Sequence, residues 1–264
     1  MVDKLDDSSV SVIMPAFKTG KFVEAAIRSV LDQTHQNLEL IIVDDNSGDN
    51  TLAVIEKAAG GDERVKIIAS NTNVGVAKSR NKAIAAATGR YIAFLDSDDV
   101  WYAQKLEYQL AFMKEHSAAF SFTSYDVMDE NGQYLYGRTA PQSVTYRDFL
   151  RCCPIGCLTV VYDSHLLGKH FNPEMRKRQD WATWLNILKQ GGEGKGLSVR
   201  LASYRLREGS LSAKKRALFG PIWHLYRKNA GLSKGKSAFY ISIYFLNSIF
   251  RKYIPGFANK IHFI

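Results

Sequence analysis

The chain has 264 residues, and its 35 lysines and arginines outnumber its 26 aspartates and glutamates, which gives a formal net charge of +9 at pH 7. This length predicts one large domain, or one domain with an appendage, and a 46% hydrophobic content excludes a wholly disordered chain. Its three cysteines, Cys152, Cys153 and Cys157, are clustered and odd in number. They exclude a disulfide framework and favour a reducing, cytoplasmic setting.

The first hundred residues alternate between short apolar runs and amphipathic segments. Strands are predicted at 10–14, 38–43, 65–69 and 91–95, and helices at 22–31, 51–59, 76–87 and 105–116. Because strands that alternate with helices indicate βαβ units, we expect an α/β fold with a mostly parallel central sheet and helices on both faces. Such sheets bind ligands outside the carboxyl ends of their strands, so polar residues there are informative.

Beyond residue 116 the alternation loosens. Further strands are predicted at 120–127, 158–162 and 197–205, and a further helix at 181–189. Two basic helical segments follow, at about 214–229 and 237–253. The pattern therefore divides the chain into an α/β domain, residues 1–212, and a basic C-terminal helical extension, residues 213–264.

Positive charge is concentrated near the C-terminus. From Arg200 onward the sequence has 13 basic residues and a single acid, Glu208, whereas the residues before Arg200 carry a net charge of −3. Such a surface attracts polyanions, so charge alone does not decide between nucleic acid, an anionic membrane and phosphorylated substrates as partners. The apolar stretch 238–250 is shorter than the roughly 20 residues of a membrane-spanning helix, so no crossing is expected.

Three carboxylates follow the fourth predicted strand: Asp96, Asp98 and Asp99. Because they repel one another, fold stability gives little reason to collect them in four residues. A hard divalent cation removes the repulsion, since Mg²⁺ takes one or two carboxylates together with substrate phosphates. The alternative is a polar turn that caps the next helix, and the position after an apolar strand favours the metal.

Polar residues also follow the second and third predicted strands. Asp44 and Asp45 either accept hydrogen bonds from a base or ribose or form an ordinary Asx turn. Segment 73–81 runs into a helix, where the first amides together with Lys78 and Arg80 suit a phosphate or nucleotide. A surface helix with scattered charges is the alternative for this segment.

Asp180 begins a predicted helix, directly before Trp181. A carboxylate at that position is either a helix cap or a general base beside an acceptor hydroxyl, and taken alone it favours the cap. Two glycine-rich segments, 191–196 and 230–237, match neither the dinucleotide-binding fingerprint nor the P-loop. Dehydrogenase and P-loop NTPase functions therefore lose their main support.

In their order and spacing, these motifs resemble the family 2 inverting glycosyltransferases of the GT-A fold. The similar segments lie at 12–17, 29–34, 39–45, 73–75, 79–81, 89–99, 179–181, 204–205 and 210–212. They extend over about three quarters of the chain, from Val10 to about Ser212. The Asp-Ser-Asp-Asp-x-Trp and Arg-Gln-Asp-Trp elements are similar to those of bacterial O-antigen and capsule sugar transferases.

The resemblance implies a nucleotide pocket. Asp45 would contact the uracil or ribose of a UDP-sugar. Three further residues would line the pocket: Pro15, Phe17 and Arg80.

The resemblance also implies a metal site and a catalytic base. Asp98 would bind Mn²⁺ or Mg²⁺ on the diphosphate, and Asp96 would contact the ribose or the metal. Asp180 aligns with the family's base, although Gln179 stands where many relatives have glutamate.

The implied activity is metal-dependent, inverting transfer of a hexose, which is galactose, glucose or an N-acetyl form, from a UDP-sugar. The implied acceptor is a sugar on a polyprenyl diphosphate, used in O-antigen or capsule synthesis at the inner face of the bacterial cytoplasmic membrane. Nucleic acid is not expected as a partner. The alternatives are a non-catalytic protein that binds polyanions or membranes and, with less support, a glycoside hydrolase.

The second basic segment has an apolar stripe formed by Phe239, Ile243, Leu246 and Phe250. Lysines and arginines lie at its ends, as in helices that lie on an anionic membrane. Packing on the main domain or on a partner is the alternative, because the other side of this helix is apolar too.

Overall fold

The computed structural model describes residues 8–175, 177–190, 192–207 and 219–253, with the backbone alone for 248–253. The strands are β1 Val10–Ala16, β2 Leu38–Asp44, β3 Val65–Ala69, β4 Tyr91–Phe94, β5 Val100–Trp101, β6 Phe120–Met128, β7 Tyr134–Arg138, β8 Ser143–Val144, β9 Val161–Asp163 and β10 Gly194–Arg205. The helices are α1 Val23–Leu31, α2 Thr51–Ala59, α3 Val76–Ala86, α4 Lys105–Glu115, α5 Tyr146–Arg151, α6 Ser164–Leu167, α7 Gln179–Lys189, α8 Phe219–His224 and α9 Lys234–Tyr253.

One sheet joins all the described strands, in the order β3-β2-β1-β4-β9-β6-β10-β5, with β7 paired to β6 and β8 to β10. The neighbours β3, β2, β1 and β4 are parallel, as the βαβ pattern predicts. Strand β9 is antiparallel to both β4 and β6, and β5, β7 and β8 also pair antiparallel. The α/β fold is confirmed, and the sheet as a whole is mixed.

The alternation of side chains along β1 divides the core into two layers. Ile13 points to the face covered by α3 and α7, where it joins a cluster containing Trp184. Val12 and Met14 point to the other face and join Ile27 of α1. Because both faces of β1 are covered, every residue of this strand is buried.

The prediction of a strand at 158–162 is wrong for the first half of this segment. Cys157–Thr159 forms a 3-10 turn, and the strand covers Val161–Asp163. The hydroxyl of Thr159 donates to the carbonyl of Gly156 at 2.7 Å, a local hydrogen bond that competes with strand pairing. The short elements β5, β7, β8, α5 and α6 were not predicted, because two to six residues carry little periodicity.

The predicted domain boundary at 212/213 lies outside the described residues. Beyond it, α8 continues as a π-helical turn, Leu225–Asn229, and packs on α9. Ile222, Tyr226 and Ile241 belong to the same buried cluster as Trp181 of α7, so these helices share the core of the α/β domain. No helix in the part of the chain that the structure describes is long and apolar enough to cross a bilayer.

Lys105, the first residue of α4, is fully buried. Its ammonium lies 4.3 Å from the centre of the Trp101 ring and donates to Gln109 Oε1 at 2.7 Å. Burial lowers the pKa of this lysine to about 7, from its ordinary value near 10.5. Between those two pH values the unfolded chain therefore holds a proton that the folded chain releases.

Above about pH 7, we expect the free energy of unfolding to rise more steeply with pH in the wild type than in Lys105→Met. The difference between the two slopes should be about 1 kcal/mol per pH unit. Denaturant unfolding of both proteins at pH 7.5 and pH 9 measures the difference. Lys114→Met, on the exposed side of the same helix, is the control and keeps the wild-type slope. Parallel pH profiles for the wild type and Lys105→Met would contradict the proposed burial penalty.

Candidate active site

The carboxyl ends of β1, β2 and β4 meet at one edge of the sheet, because these three strands are parallel neighbours. The residues directly beyond those ends are Phe17, Asp45 and the loop 95–99. The topology thus brings together three segments in which the sequence predicts site residues.

Asp45 lies buried at this edge and holds the loop before α3. Its two carboxylate oxygens each accept a backbone N–H at 2.8 Å, one from Val74 and one from Gly75, and Asn73 donates to its carbonyl. A carboxylate of the chain itself thus occupies the amides of Val74 and Gly75, which precede α3, and the first amides of the helix itself stay a predicted phosphate site. Gly75 has φ +88°, a conformation that favours glycine.

The neighbouring Asp44 forms the Asx turn that the sequence left as an alternative. Its carboxylate accepts from the backbone N–H and the hydroxyl of Ser47. The two adjacent aspartates therefore have different partners. Asp44 binds Ser47 within its own loop, whereas Asp45 binds the loop before α3.

Arg80 of α3 forms an ion pair with Asp96 at the end of β4. The guanidinium is 5% exposed and the carboxylate 34%. Burial by itself lowers the pKa of Arg80, but the negative charges of Asp96 and Asp180 outweigh it and raise the pKa above its ordinary value. Arg80 therefore lies directly beside Asp96, and its place in the wall of a nucleotide pocket stays a prediction.

Asp98 and Asp99 are held by the end of β10. Arg207 Nε lies 2.6 Å from Asp98 Oδ2, and Arg205 Nε donates to the Asp98 carbonyl at 2.8 Å. The backbone N–H of Arg205 donates to Asp99 Oδ1, also at 2.8 Å. Burial, and next the charge of Asp96, raises the pKa of Asp98, while burial and the charge of Asp98 raise the pKa of Asp99 further.

Because Asp99 is almost fully buried and bonded to the backbone, it has a structural place in this loop. The partly accessible carboxylates are those of Asp96 and Asp98. No cluster of three or more acidic, histidine or cysteine side chains suited to a metal occurs among the described residues. This loop thus offers two accessible carboxylates to a cation.

Asp180 lies in the first turn of α7, next to Arg178, which adopts the left-handed conformation at φ 65°. Asp180 is close enough for its charge to raise the pKa of Arg80. It also raises the pKa of the Cys153 thiol, which burial already raises. Asp180 is therefore near Arg80, the partner of Asp96, although 84 residues separate Asp180 from Asp96 in the sequence.

A hydrogen-bond relay joins α3 to α7. Asn81 Nδ2 donates to the carbonyl of Asn172 at 2.9 Å, and Asn81 Oδ1 accepts the backbone N–H of Asn172 at 2.7 Å. Thr183 of α7 then donates to Asn172 Oδ1 at 3.1 Å. The relay fixes the helix that carries Arg80 relative to the helix that carries Asp180.

Pro15 and Phe17 differ in exposure. Pro15 is buried in β1 opposite Val43, beyond the last residue pair between β1 and β4, so its missing N–H costs no ladder hydrogen bond there. Phe17 lies after the strand end and is exposed, with the ammonium of Lys18 5.4 Å from its ring centre. Of these two, Phe17 presents an accessible ring at the sheet edge.

Arg207 is a site residue that the sequence pattern did not predict, and Arg205 and Asn81 were predicted only as parts of the similar segments 204–205 and 79–81. The available signal was a pair of arginines directly at the end of a predicted strand, where cations meet polar ligands or carboxylates. The partner of each arginine lies more than 100 residues away, so the pairing itself has no local signal.

We expect Asn81→Ala to lower the free energy of unfolding by about 2 kcal/mol, because it removes both partners of the buried Asn172 backbone groups. Urea unfolding of the variant and the wild type measures the loss. The control is Asn131→Ala, at an exposed position of the β6–β7 turn, which we expect to change stability by less than about 0.5 kcal/mol. Equal losses in the two variants would mean that the relay contributes nothing.

Comparisons with known proteins point to one family. The family model described as Glycosyl transferase family 2 matches residues 11–166. The Bacillus subtilis (strain 168) glycosyltransferase TuaG, whose name assigns it provisionally to teichuronic acid biosynthesis, is 44% identical over 223 residues, which cover 83% of this chain and 87% of that protein.

A second relative is the Escherichia coli enzyme WfgD, named UDP-Glc:alpha-D-GlcNAc-diphosphoundecaprenol beta-1,3-glucosyltransferase. It is 40% identical over 214 residues, which cover 80% of this chain and 82% of the enzyme. Among solved structures, S. aureus TarS 1–349 in complex with UDP-GlcNAc superposes with a TM-score of 0.72. That match covers 96% of this chain and 76% of TarS 1–349 at 24% identity, and it shows a shared fold.

Proposed function

The chain belongs to glycosyl transferase family 2, and from that premise we propose that it transfers a hexose from a UDP-sugar to a lipid-diphosphate-linked sugar. Membership makes it a glycosyltransferase, which removes the non-catalytic and glycoside hydrolase alternatives. The sugar is galactose, glucose or an N-acetyl form, and the product enters a bacterial cell-surface polysaccharide such as O-antigen or capsule.

The observation that carries this proposal is the ion pair of Arg80 with Asp96 at the end of β4, on a helix that hydrogen bonds tie to α7, the helix of Asp180. Transfer from a nucleotide sugar requires compensation of the diphosphate charge on one side of the reacting carbon and a base on the other. A cluster with two accessible carboxylates on one loop and a third on a facing helix meets both requirements.

Asp96 and Asp98 fit a divalent cation by their chemistry. Hard cations prefer carboxylate oxygens, and Mg²⁺ usually combines one or two of them with substrate phosphates and water. Burial, and then the charge of Asp96, raises the pKa of Asp98, as expected for two neighbouring carboxylates that repel each other. When bound, Mn²⁺ or Mg²⁺ stabilises the negative charge of the leaving UDP as a Lewis acid. Arg207 shares Asp98 and adds a further positive charge beside it.

Asp180 acts as the general base in this proposal. It accepts the proton of the acceptor hydroxyl while the hydroxyl oxygen forms a bond to the anomeric carbon and the bond to UDP breaks, so the anomeric configuration inverts. The relay from Asn81 to Thr183 holds its helix, which keeps the base in one position relative to the donor.

The nucleotide lies near Asp45 and Phe17. The exposed Phe17 ring offers a flat apolar surface to uracil. Asp45 orders the loop 73–75 by its two amide contacts, and its oxygens keep further acceptor capacity for the base or ribose. Pro15, buried near the end of β1, lines the proposed pocket from within the sheet.

The acceptor is a saccharide on a polyprenyl diphosphate. Support comes from WfgD and from the E. coli enzyme WfaP, which has the same printed activity and is 37% identical over 207 residues. Because such an acceptor is anchored in a membrane and a UDP-sugar is water-soluble, the enzyme works as a peripheral protein at the inner face of the cytoplasmic membrane.

The direct test is a panel of UDP-sugars with a GlcNAc-diphosphate-lipid acceptor, with and without Mn²⁺ or Mg²⁺. We expect transfer from one UDP-hexose, release of UDP and an inverted anomeric linkage, all dependent on the added cation. Absence of transfer from every UDP-hexose, or full activity after chelation, would contradict the corresponding part of the proposal.

Asp98→Asn should abolish cation-dependent UDP binding, because it removes a charged oxygen ligand. Calorimetric titration of UDP, with and without Mn²⁺, measures the loss. Asp62→Asn is the control, since Asp62 pairs with Arg64 just before β3, at the amino ends of the parallel strands and away from the site. If Asp98→Asn binds UDP with the wild-type dependence on Mn²⁺, another residue holds the cation.

Asp180→Asn should retain UDP-sugar binding and lose about 10²- to 10⁴-fold in kcat, the usual contribution of a general base. Steady-state kinetics and donor titration separate the two effects. The matched control is Glu24→Gln, which removes an exposed acid from the first turn of α1. A helix cap without a role in catalysis would leave kcat near the wild-type value in both variants.

A further inference from the structure

Helices α8 and α9 carry an outer surface on which exposed apolar side chains alternate with cations. The inner positions of α8 and its π-helical turn, among them Ile222 and Tyr226, are buried in the core. The outer positions follow at helical spacing and line a shallow cavity of about 330 Å³: Gly220, Trp223, His224, Arg227 and Lys228. An indole beside two permanent cations is a suitable surface for a phosphate group attached to an apolar body.

Helix α9 repeats this division. Ser237 and Ile241 face the core and are buried. Phe239 and Leu246 lie on the opposite side of the helix, 61% and 52% exposed, with Lys236 on the same side by helical periodicity. Of the stripe that the sequence predicts at 239, 243, 246 and 250, positions 239 and 246 are therefore exposed and position 243 is half-buried. The side chain at position 250 lies outside the described residues.

Charge in this region has one sign. Residues 209–264 contain ten lysines and arginines and no aspartate or glutamate. Cations alone would suit any polyanion, but exposed phenylalanine and leucine side chains find no apolar surface at the hydrated phosphate backbone of a nucleic acid duplex. An anionic lipid surface satisfies both, since it attracts the cations and takes up the apolar side chains.

The inner side of α9 touches the residues next to the proposed base. Tyr244 accepts a hydrogen bond from Arg178 Nη2 at 3.1 Å, and its ring centre lies 5.6 Å from that of Trp181. Arg178 and Trp181 flank Asp180 in the sequence. One helix, about 10 Å in diameter, therefore separates the Asp180 end of α7 from the exposed stripe.

We infer that the outer surface of α8 and α9 docks on an anionic membrane leaflet, with a lipid phosphate in the cavity lined by Trp223, Arg227 and Lys228 and with Phe239 and Leu246 inserted among the lipids. The inference rests on the proposed function, because docking by this surface brings the Asp180 side of the site to the membrane that holds a lipid-linked acceptor. It assigns the lipid contact to a defined surface.

Vesicle flotation of the full chain tests the docking. We expect binding to vesicles of phosphatidylcholine mixed with phosphatidylglycerol, and about tenfold weaker binding to phosphatidylcholine alone or at high salt. The double variant Phe239→Ser, Leu246→Ser should bind the anionic vesicles roughly tenfold more weakly. Lys228→Gln with Lys236→Gln should remove most of the preference for anionic lipid.

The matched control is Phe171→Ser with Leu166→Ser, which changes the same residue types at positions that are 50% and 67% exposed elsewhere on the surface. This control should float like the wild type. Equal binding to neutral and anionic vesicles, or an equal loss in the control, would overturn the inference. So would a wild-type dimer in light scattering that Phe239→Ser, Leu246→Ser converts to a monomer, because the surface would then bind a second copy.

Transfer to a water-soluble acceptor, GlcNAc-diphosphate on a short alkyl chain, separates this inference from the proposed function. All the surface variants should keep wild-type transfer to that acceptor. If transfer is absent in every protein while flotation behaves as expected, the proposed function fails and the docking surface stands. If transfer is normal and Phe239→Ser, Leu246→Ser floats like the wild type, the docking inference alone fails.

Discussion

Arg80 carries a positive charge at a position that water hardly reaches, and the candidate site is organised around it. A buried guanidinium is stable only when carboxylates lie close to it. Asp96 supplies the direct partner, and Asp180 adds charge from a different helix. Its Nε atom has no hydrogen-bond partner among the described residues, so these charges provide most of its compensation. The requirement to pair Arg80 thereby ties α3, the end of β4 and the start of α7 to one another.

The end of β10 supplies positive charge to the loop after β4, which concentrates negative charge. Arg205 binds the backbone and Asp99, while Arg207 binds Asp98, and both guanidinium groups also lie near the ring of Phe22. The carboxylates are therefore held in place before any ligand arrives. Preorganised charge of this kind reduces the reorganisation that a reaction needs, which is the general electrostatic advantage of enzymes.

The C-terminal helices connect this site to the surface of the molecule. Tyr226, in the π-helical turn after α8, donates to the carbonyl of Leu150 in α5 at 2.6 Å and packs edge-on against Trp181 of α7. Tyr244 of α9 contacts Arg178 and Trp181, so the C-terminal helices are packed on the helix that carries Asp180. A surface that docks on a membrane through the outer side of these helices has a fixed orientation relative to the site. Chemistry on a membrane-anchored acceptor needs that orientation, because the acceptor cannot diffuse freely to a site on the far side.

The sequence by itself determined the main strands and helices of the first hundred residues, because apolar periodicity is a local property and survives without tertiary context. It also put acidic residues, Asp45, Asp96, Asp98 and Asp180, at strand and helix ends, and their roles in the site stay predictions. Only the tertiary structure decided the partners of the charged groups. Asp45 accepts hydrogen bonds from the amides of the loop before α3, Arg80 pairs with Asp96, and Arg207 pairs with Asp98. Those pairs join residues 16 to 109 positions apart. Ion pairing depends on distance and burial in space, and a linear pattern contains neither.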